Sequence, residues 1–221
     1  MVLTKRDILW EKINYQCIPN YLNSGDCTPC EMVDIMGRFV IYKVDGAKNH
    51  YLLLPTNKVT GIEDDYFLTL NKIFVLAWEN TSYLSKERVV KGHPCLLSVN
   101  PAAKRSQDQL HIHISFLSPE AEKRLTELYE FIKPDIWSDS PFETVDQKLY
   151  LKKLTSSTFS SNTYSFPQDA NTLCSQLRKD RNDLTLGVTS LDSDHFIMMA
   201  GFCERNLVAS CELLSEEFGG F

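Results

Sequence analysis

Long apolar runs, an excess of positive charge, internal repeats and an even complement of cysteines are all missing from this 221-residue sequence. No run approaches the roughly 20 apolar residues needed to span a bilayer. The start, Met1-Val-Leu-Thr-Lys-Arg-Asp7, lacks the apolar core of a signal peptide. The expectation is a soluble chain, cytoplasmic or periplasmic or secreted, or a mature fragment freed of an anchor. A net charge of -6 excludes broad nucleic-acid binding, which needs a basic surface. It leaves room for a small anionic substrate met by local basic residues. Strands and helices do not alternate as βαβ units, which argues against a doubly wound nucleotide fold. The apolar share of 43% is that of a globular chain long enough for one substantial core.

Seven cysteines cannot all pair within one chain. Cys17, Cys27 and Cys30 cluster in a stretch that could hold one disulfide in an oxidising compartment. Cys27-Thr-Pro-Cys30 has redox-motif spacing, yet no strand leads into it and no second ligand pair follows for zinc. Structural or unpaired thiols are the expectation.

Periodicity sketches the elements. A short helix is expected over 6–15, with Leu9, Trp10 and Ile13 on one face, then a loop from Pro19 to Pro29. Residues 39–44 and 51–54 read as a hairpin, Pro55 ending the second strand. Phe67, Leu70, Phe74, Ala77 and Trp78 recur at helical spacing, predicting one long helix over 64–86. Strands at 95–99 and 110–117 flank a polar loop. Ser118-Pro119 opens a helix to about residue 133, which Pro134 stops. Residues 135–169 read as an irregular insertion over the core, in which Trp137, Phe142, Tyr164 and Phe166 fill the core more readily than they line a lipid-tail groove. A helix at 170–179 then precedes a hairpin of 184–189 and 195–200. The class is α+β with a mainly antiparallel sheet.

The chemistry concentrates in Asn100-Pro-Ala-Ala-Lys-Arg-Ser-Gln-Asp-Gln-Leu-His111-Ile-His113-Ile-Ser115. Strand alternation puts His111, His113 and Ser115 on one face and Ile112, Ile114 and Phe116 on the other. The loop ahead carries Lys104, Arg105, Ser106 and Gln107, donors suited to phosphate oxygens. Alone, His-x-His could equally be two metal ligands or an exposed pair, and a third ligand would have to come from His50, His93 or His195. Those three show no partner pattern and are expected to have no catalytic role.

This segment resembles the signature of the histidine-triad (HIT) superfamily. There an Asn lies eleven residues before the first His and a Gln four before it, the places of Asn100 and Gln107. Within it, the chain is similar to the CDP-diacylglycerol pyrophosphatase family. The likeness rests on Cys17-Ile-Pro-Asn20, Leu54-Pro-Thr56, Leu76-Ala-Trp78, Arg105-Ser-Gln107, His111 to Ser115 and Arg205-Asn-Leu207, which run in order over most of the chain. Ser at the third triad position is typical of that family. The sequence departs from the pattern in placing Asp108 where many relatives have a hydroxyl, and the N-terminal anchor that the family often carries is not expected within these residues.

The resemblance implies a single HIT-like domain, divided into an N-terminal helix and loop (1–38), a core (39–133), the insertion (134–169) and a C-terminal helix and hairpin (170–221). It implies that His113 attacks the CMP phosphorus of CDP-diacylglycerol, releasing phosphatidate, and that water frees CMP from the nucleotidyl-histidine. His111 would orient the nucleophile and Ser115 donate to an oxygen. Gln107 and Ser106 would hold phosphate and Asn100 the ribose or the loop, with Lys104, Arg105, Asp108 and Lys58 around the pyrophosphate. Histidine being the nucleophile, no metal or cofactor is called for. A peripheral membrane contact and an oligomer stay open. So do a transferase or hydrolase acting on soluble nucleotide conjugates and a non-catalytic nucleotide-binding module.

Overall fold

The computed structural model describes residues 5–145, 147–204 and 209–217; the Arg205-Asn-Leu207 segment lies outside them. Nine strands form one sheet: β1 (Met32–Asp34), β2 (Phe39–Lys43), β3 (Tyr51–Pro55), β4 (Cys95–Val99), β5 (Ile112–Phe116), β6 (Phe142–Glu143), β7 (Lys148–Thr155), β8 (Leu184–Thr189) and β9 (His195–Phe202). Their order is β1-β2-β3-β5-β4-β8-β9-β7-β6, and each neighbouring pair is antiparallel. The α+β expectation holds, as do the β2–β3 and β8–β9 hairpins.

One face of the sheet carries the main core. Ile41, Leu53, Leu97, Ile112, Ile114, Phe116, Leu186 and Met198 pack there against α3 (Ile73–Glu79) and α7 (Phe166–Leu177). The other face holds two separate apolar clusters. Val40, Tyr42, Leu52 and Leu54 meet the N-terminal helical run through Ile13 and Cys17. Leu96, Leu151, Ile197 and Met199 meet α5 (Pro119–Leu128) and the short C-terminal turn Cys211–Leu214. Between these clusters run β5 and β4, whose Ser98, His113 and Ser115 face neither. This polar gap positions the site.

The N-terminal helix extends further than expected. A helical run from Lys5 to Ser24 contains α1 (Ile8–Lys12), a π-turn (Ile13–Cys17) and α2 (Ile18–Ser24). Pro19 follows directly on the π-turn, in the first turn of α2, and does not open a loop. Gly25, at φ 76°, closes the run. Cys17 pairs with Cys30 in a disulfide, leaving Cys27 a free thiol.

Two other expectations are corrected. The helix over 64–86 is broken into a 3-10 turn (Asp65–Thr69), α3, a 3-10 turn (Thr81–Tyr83) and the start of α4 (Lys86–Val90). Polar side chains take the carbonyls that a continuous helix would use: Thr69 donates to Tyr66 O, Asn80 to Leu76 O and Thr81 to Trp78 O. The supposed insertion supplies β6 and β7, and β7 pairs with β9 from Leu149 to Thr155. Lys148, Lys152 and Lys153 disguise that strand. Lys152 is nevertheless buried, paired with Asp169 at 2.8 Å and set over the Trp137 and Tyr164 rings. Trp137 and Phe166 do fill the core. α5 begins as expected, Ser118 accepting from Ala121 N, while Ser165 caps α7 four residues early.

Candidate active site

In β5, His113 sits opposite Leu52 of β3 and Ser98 of β4, on the second face of the sheet. Its alternation partners Ile112 and Ile114 anchor the strand in the main core. His113 therefore stands in the gap between the two outer clusters, at the floor of a 450 Å³ cleft. Ile8, Leu9 and Lys12 of α1 form one wall, Lys104, Ser106 and Gln107 another, with His50, Asn100, His111 and Glu212 around the floor.

The C-terminal segment reaches this floor because Gly187 has no side chain. Gly187, Ser98 and His113 lie in one row across β8, β4 and β5. A Cβ on Gly187 would lie 3.0 Å from Cys211 Cβ and 2.9 Å from Met199 Cε, so the Cys211 turn rests directly on the sheet. Thr185 Oγ1 accepts from Cys211 N at 2.9 Å, and Gln147 Oε1 accepts from Ser210 N at 2.9 Å. Leu117 and Ser215 form an antiparallel bridge. Glu212 is thus held with only 9% of its surface exposed.

The buried polar network fixes the proton on His113. Its Nδ1 is 2.9 Å from Glu212 Oε1 and 2.8 Å from His50 Nε2. Asn100 donates from Nδ2 to Glu212 Oε2 and lies 3.4 Å from His113 Nε2 through the same group. Asn100 Oδ1 accepts from Ser210 Oγ at 2.5 Å, which settles the direction of the amide. With the Asn100 amide facing Nε2 and a carboxylate at Nδ1, the proton belongs on Nδ1 and the lone pair on Nε2. His111 makes the same choice by another route, its Nδ1 donating to Gln109 O at 2.6 Å.

Burial first, then the neighbouring His113, pushes both His50 and His111 down to about 4. Both rings are neutral at pH 7. For Glu212, burial opposes ionisation, but His113, the Asn100 amide and His50 outweigh it and hold the carboxyl well below the usual range. A neutral floor with one buried anion suits an imidazole that must stay unprotonated on Nε2.

His50, His113 and Glu212 also form a group whose ligand atoms lie within 4.8 Å of one another, among the described residues. Two nitrogens on one tetrahedral zinc stand roughly 3.3–3.4 Å apart, given bonds of about 2.0–2.1 Å. At 2.8 Å the two rings are closer than that, and hydrogen bonding accounts for the spacing.

The family model for CDP-diacylglycerol pyrophosphatase matches residues 4–215. The chain belongs to the CDP-diacylglycerol pyrophosphatase family. It is a hydrolase. A "Probable CDP-diacylglycerol pyrophosphatase" of Mycobacterium leprae is 31% identical over 216 residues, covering 94% of this chain and 78% of that one. The CDP-diacylglycerol pyrophosphatase of Yersinia pestis is 27% identical, covering 96% of this chain and 81% of that one. Among solved structures, yeast Ap4A phosphorylase Apa2 matches with a TM-score of 0.41 at 12% identity, covering 76% of this chain and 60% of the other. That likeness is too low to carry an argument.

The fold brings His111, His113, Asn100, Gln107, Ser106 and Lys104 to one cleft. Other expected residues are spent elsewhere. Arg105 is engaged by both oxygens of Glu63, at 2.7 and 2.6 Å, and by Asp108 at 3.3 Å. Asp108 holds Arg6 through two bonds of 2.9 Å, and Lys58 pairs with Asp7 at 2.8 Å. All three therefore dock the N-terminal helix or brace the loop, and none lines the cleft. Ser115 follows His113 on the same face but is fully buried, its hydroxyl without a hydrogen-bond partner among the described residues. The structure does not bring it to the cleft.

His50, which shows no partner pattern in the sequence, does have a partner in the structure, His113 at 2.8 Å. It lies just before β3, and only the β3–β5 pairing carries it to His113. Lys12 and Glu212 were missed too. Lys12 reads as one more polar residue of an amphipathic helix, and Glu212 has no motif around it. Among the described residues, no helix is long and apolar enough to cross a membrane.

Proposed function

We propose that this enzyme cleaves the pyrophosphate of CDP-diacylglycerol to CMP and phosphatidate by the HIT route, with His113 Nε2 as nucleophile. The observation that carries the reading is the double fixing of the His113 tautomer, Glu212 at Nδ1 and Asn100 beside Nε2. Covalent catalysis divides one hard displacement into two easier ones, provided the nucleophile presents a lone pair at neutral pH. The leaving group, a phosphate monoester, is a stable anion, so the reaction does without a strong general acid in the cleft. Lys12 and Lys104 at the cleft supply positive charge for the pyrophosphate, while Ser106 and Gln107 offer hydrogen bonds.

The liponucleotide substrate is supported by the family and by the cleft's rim. Ile8 lines the cleft and is 44% exposed, and Tyr15 and Leu22 farther along the helical run are more exposed still. This apolar edge gives acyl chains, or the lipid surface holding them, a place beside the nucleotide.

The test is CMP release from CDP-diacylglycerol in detergent micelles without added metal, comparing wild type with His113→Ala. Turnover by the wild type and a loss of at least about 10³-fold in the variant are expected. A rapid quench should also trap an acid-labile nucleotidyl-protein in the wild type alone. No CMP from folded wild type would overturn the substrate, and an active His113→Ala would overturn the nucleophile.

A further inference from the structure

Glu212 belongs to the C-terminal segment 209–217, which is anchored on the sheet through Thr185 and Gln147, on α5 through Leu214 and on α4 through the Arg88–Glu216 pair. Its carboxylate is taken out of water, which is costly for a charge unless partners replace the solvent. The partners are His113 Nδ1 at 2.9 Å and the Asn100 amide. No arginine or lysine shares its ion pairs among the described residues. A buried carboxylate that only fastened a loop would serve as well against any cation or backbone N–H. This one is aimed at the single nitrogen whose protonation decides whether the ring can attack.

Resting on the proposed His113 chemistry, we infer that Glu212 is a positioning residue, holding the proton on His113 Nδ1 and balancing the charge that develops on that ring. In the first step, the Nε2 lone pair forms the N–P bond and the phosphatidate oxygen leaves with the electrons of the broken P–O bond. Nδ1 keeps its proton, so the nucleotidyl-imidazole carries positive charge, which the adjacent carboxylate stabilises without moving. In the second step, a water oxygen bonds to phosphorus, the P–N electrons return to Nε2, and the surplus proton of water passes to solvent. The carboxylate touches neither substrate nor water and acts only through the ring. His50 Nε2 shares the same Nδ1 proton as a neutral acceptor, which cannot balance charge.

Two readouts test this on the full chain. The first needs no variant and no substrate: two-bond proton–nitrogen correlation spectra of ¹⁵N-labelled wild type report which His113 nitrogen is protonated at pH 7. The Nδ1–H form is expected, and a dominant Nε2–H form overturns the inference even if the enzyme proves active. The second compares Glu212→Gln and Glu212→Asp. Glu212→Gln should lower kcat by about 10²–10⁴-fold with KM within about threefold, and mix the His113 tautomers. Glu212→Asp, keeping the charge at a longer reach, should regain at least about tenfold of that loss. Wild-type kcat in Glu212→Gln, or an equal loss of KM and kcat in both variants, would reduce Glu212 to a fastener. A wild type inactive on CDP-diacylglycerol would sink the substrate reading alone, because the tautomer measurement stands apart from turnover.

Discussion

The two structures that wall the site on the outer face of the sheet are held by different physics. The N-terminal helical run is fastened by the Cys17–Cys30 disulfide, by apolar contact of Ile13 and Cys17 with β2 and β3, and by partly exposed ion pairs, Arg6–Asp108 and Lys58–Asp7. The Cys211 turn is fastened by buried hydrogen bonds to Thr185 and Gln147, and by direct contact with a sheet thinned at Gly187. Exposed ion pairs contribute little and are screened by salt, whereas buried polar contacts lose their full desolvation cost when one partner is missing. The helix wall can therefore shift without disturbing the nucleophile. The C-terminal wall cannot, since it delivers Glu212 to His113.

Breaking the comparison on the helix side should cost stability and spare turnover. Replacing Cys17 and Cys30 together by Ala reopens a loop of sequence separation 13, and a loss of about 3 kcal/mol in chemical denaturation is expected. The turnover number of the folded variant should stay within about twofold; a tenfold fall would show that the helix helps to align the floor. Gly187→Ala probes the opposite wall. Its methyl meets Cys211 Cβ, part of a backbone-anchored turn, so the turn must move by a few tenths of an ångström. The expected stability cost is about 1–3 kcal/mol, accompanied by a fall in kcat of about tenfold or more at unchanged KM. Unchanged kcat would mean that Glu212 tolerates displacement. The smallest effect is expected for Arg6→Ala. The Arg6–Asp108 pair is partly exposed, so the cost should be the least of the three and shrink in high salt. A larger loss, insensitive to salt, would place the helix under the same buried control as the C-terminal wall.

Much of the cleft was legible in sequence because it is built from one stretch. Alternation from His111 to Phe116 sorts that strand into a core face and a site face, a consequence of backbone pleat alone. The offsets of Asn100 and Gln107 from His111 survive folding because the intervening loop returns to the same strand pair, β4 and β5. Arg105 and Asp108 show the limit. Their chemistry suits phosphate, but Glu63 and Arg6 take them first, and those partners lie 42 and 102 residues away. The lysines of β7 hid a strand of the sheet for a similar reason, since Asp169 and two aromatic rings make Lys152 tolerable inside.

By itself, then, the amino-acid order determined the class of the fold, the hairpins, the cap at Ser118 and the strand that presents His113. Those features depend on local periodicity and on side chains bonding to nearby backbone. Only the tertiary structure decided which groups control that histidine. His50 is 63 residues away and reaches it through the β3–β5 pairing, and Glu212 arrives on a turn that lies flat because Gly187 carries no side chain. Neither residue sits in a repeating pattern. Their roles follow from strand order and close packing, which bring distant parts of the chain together without leaving a local trace.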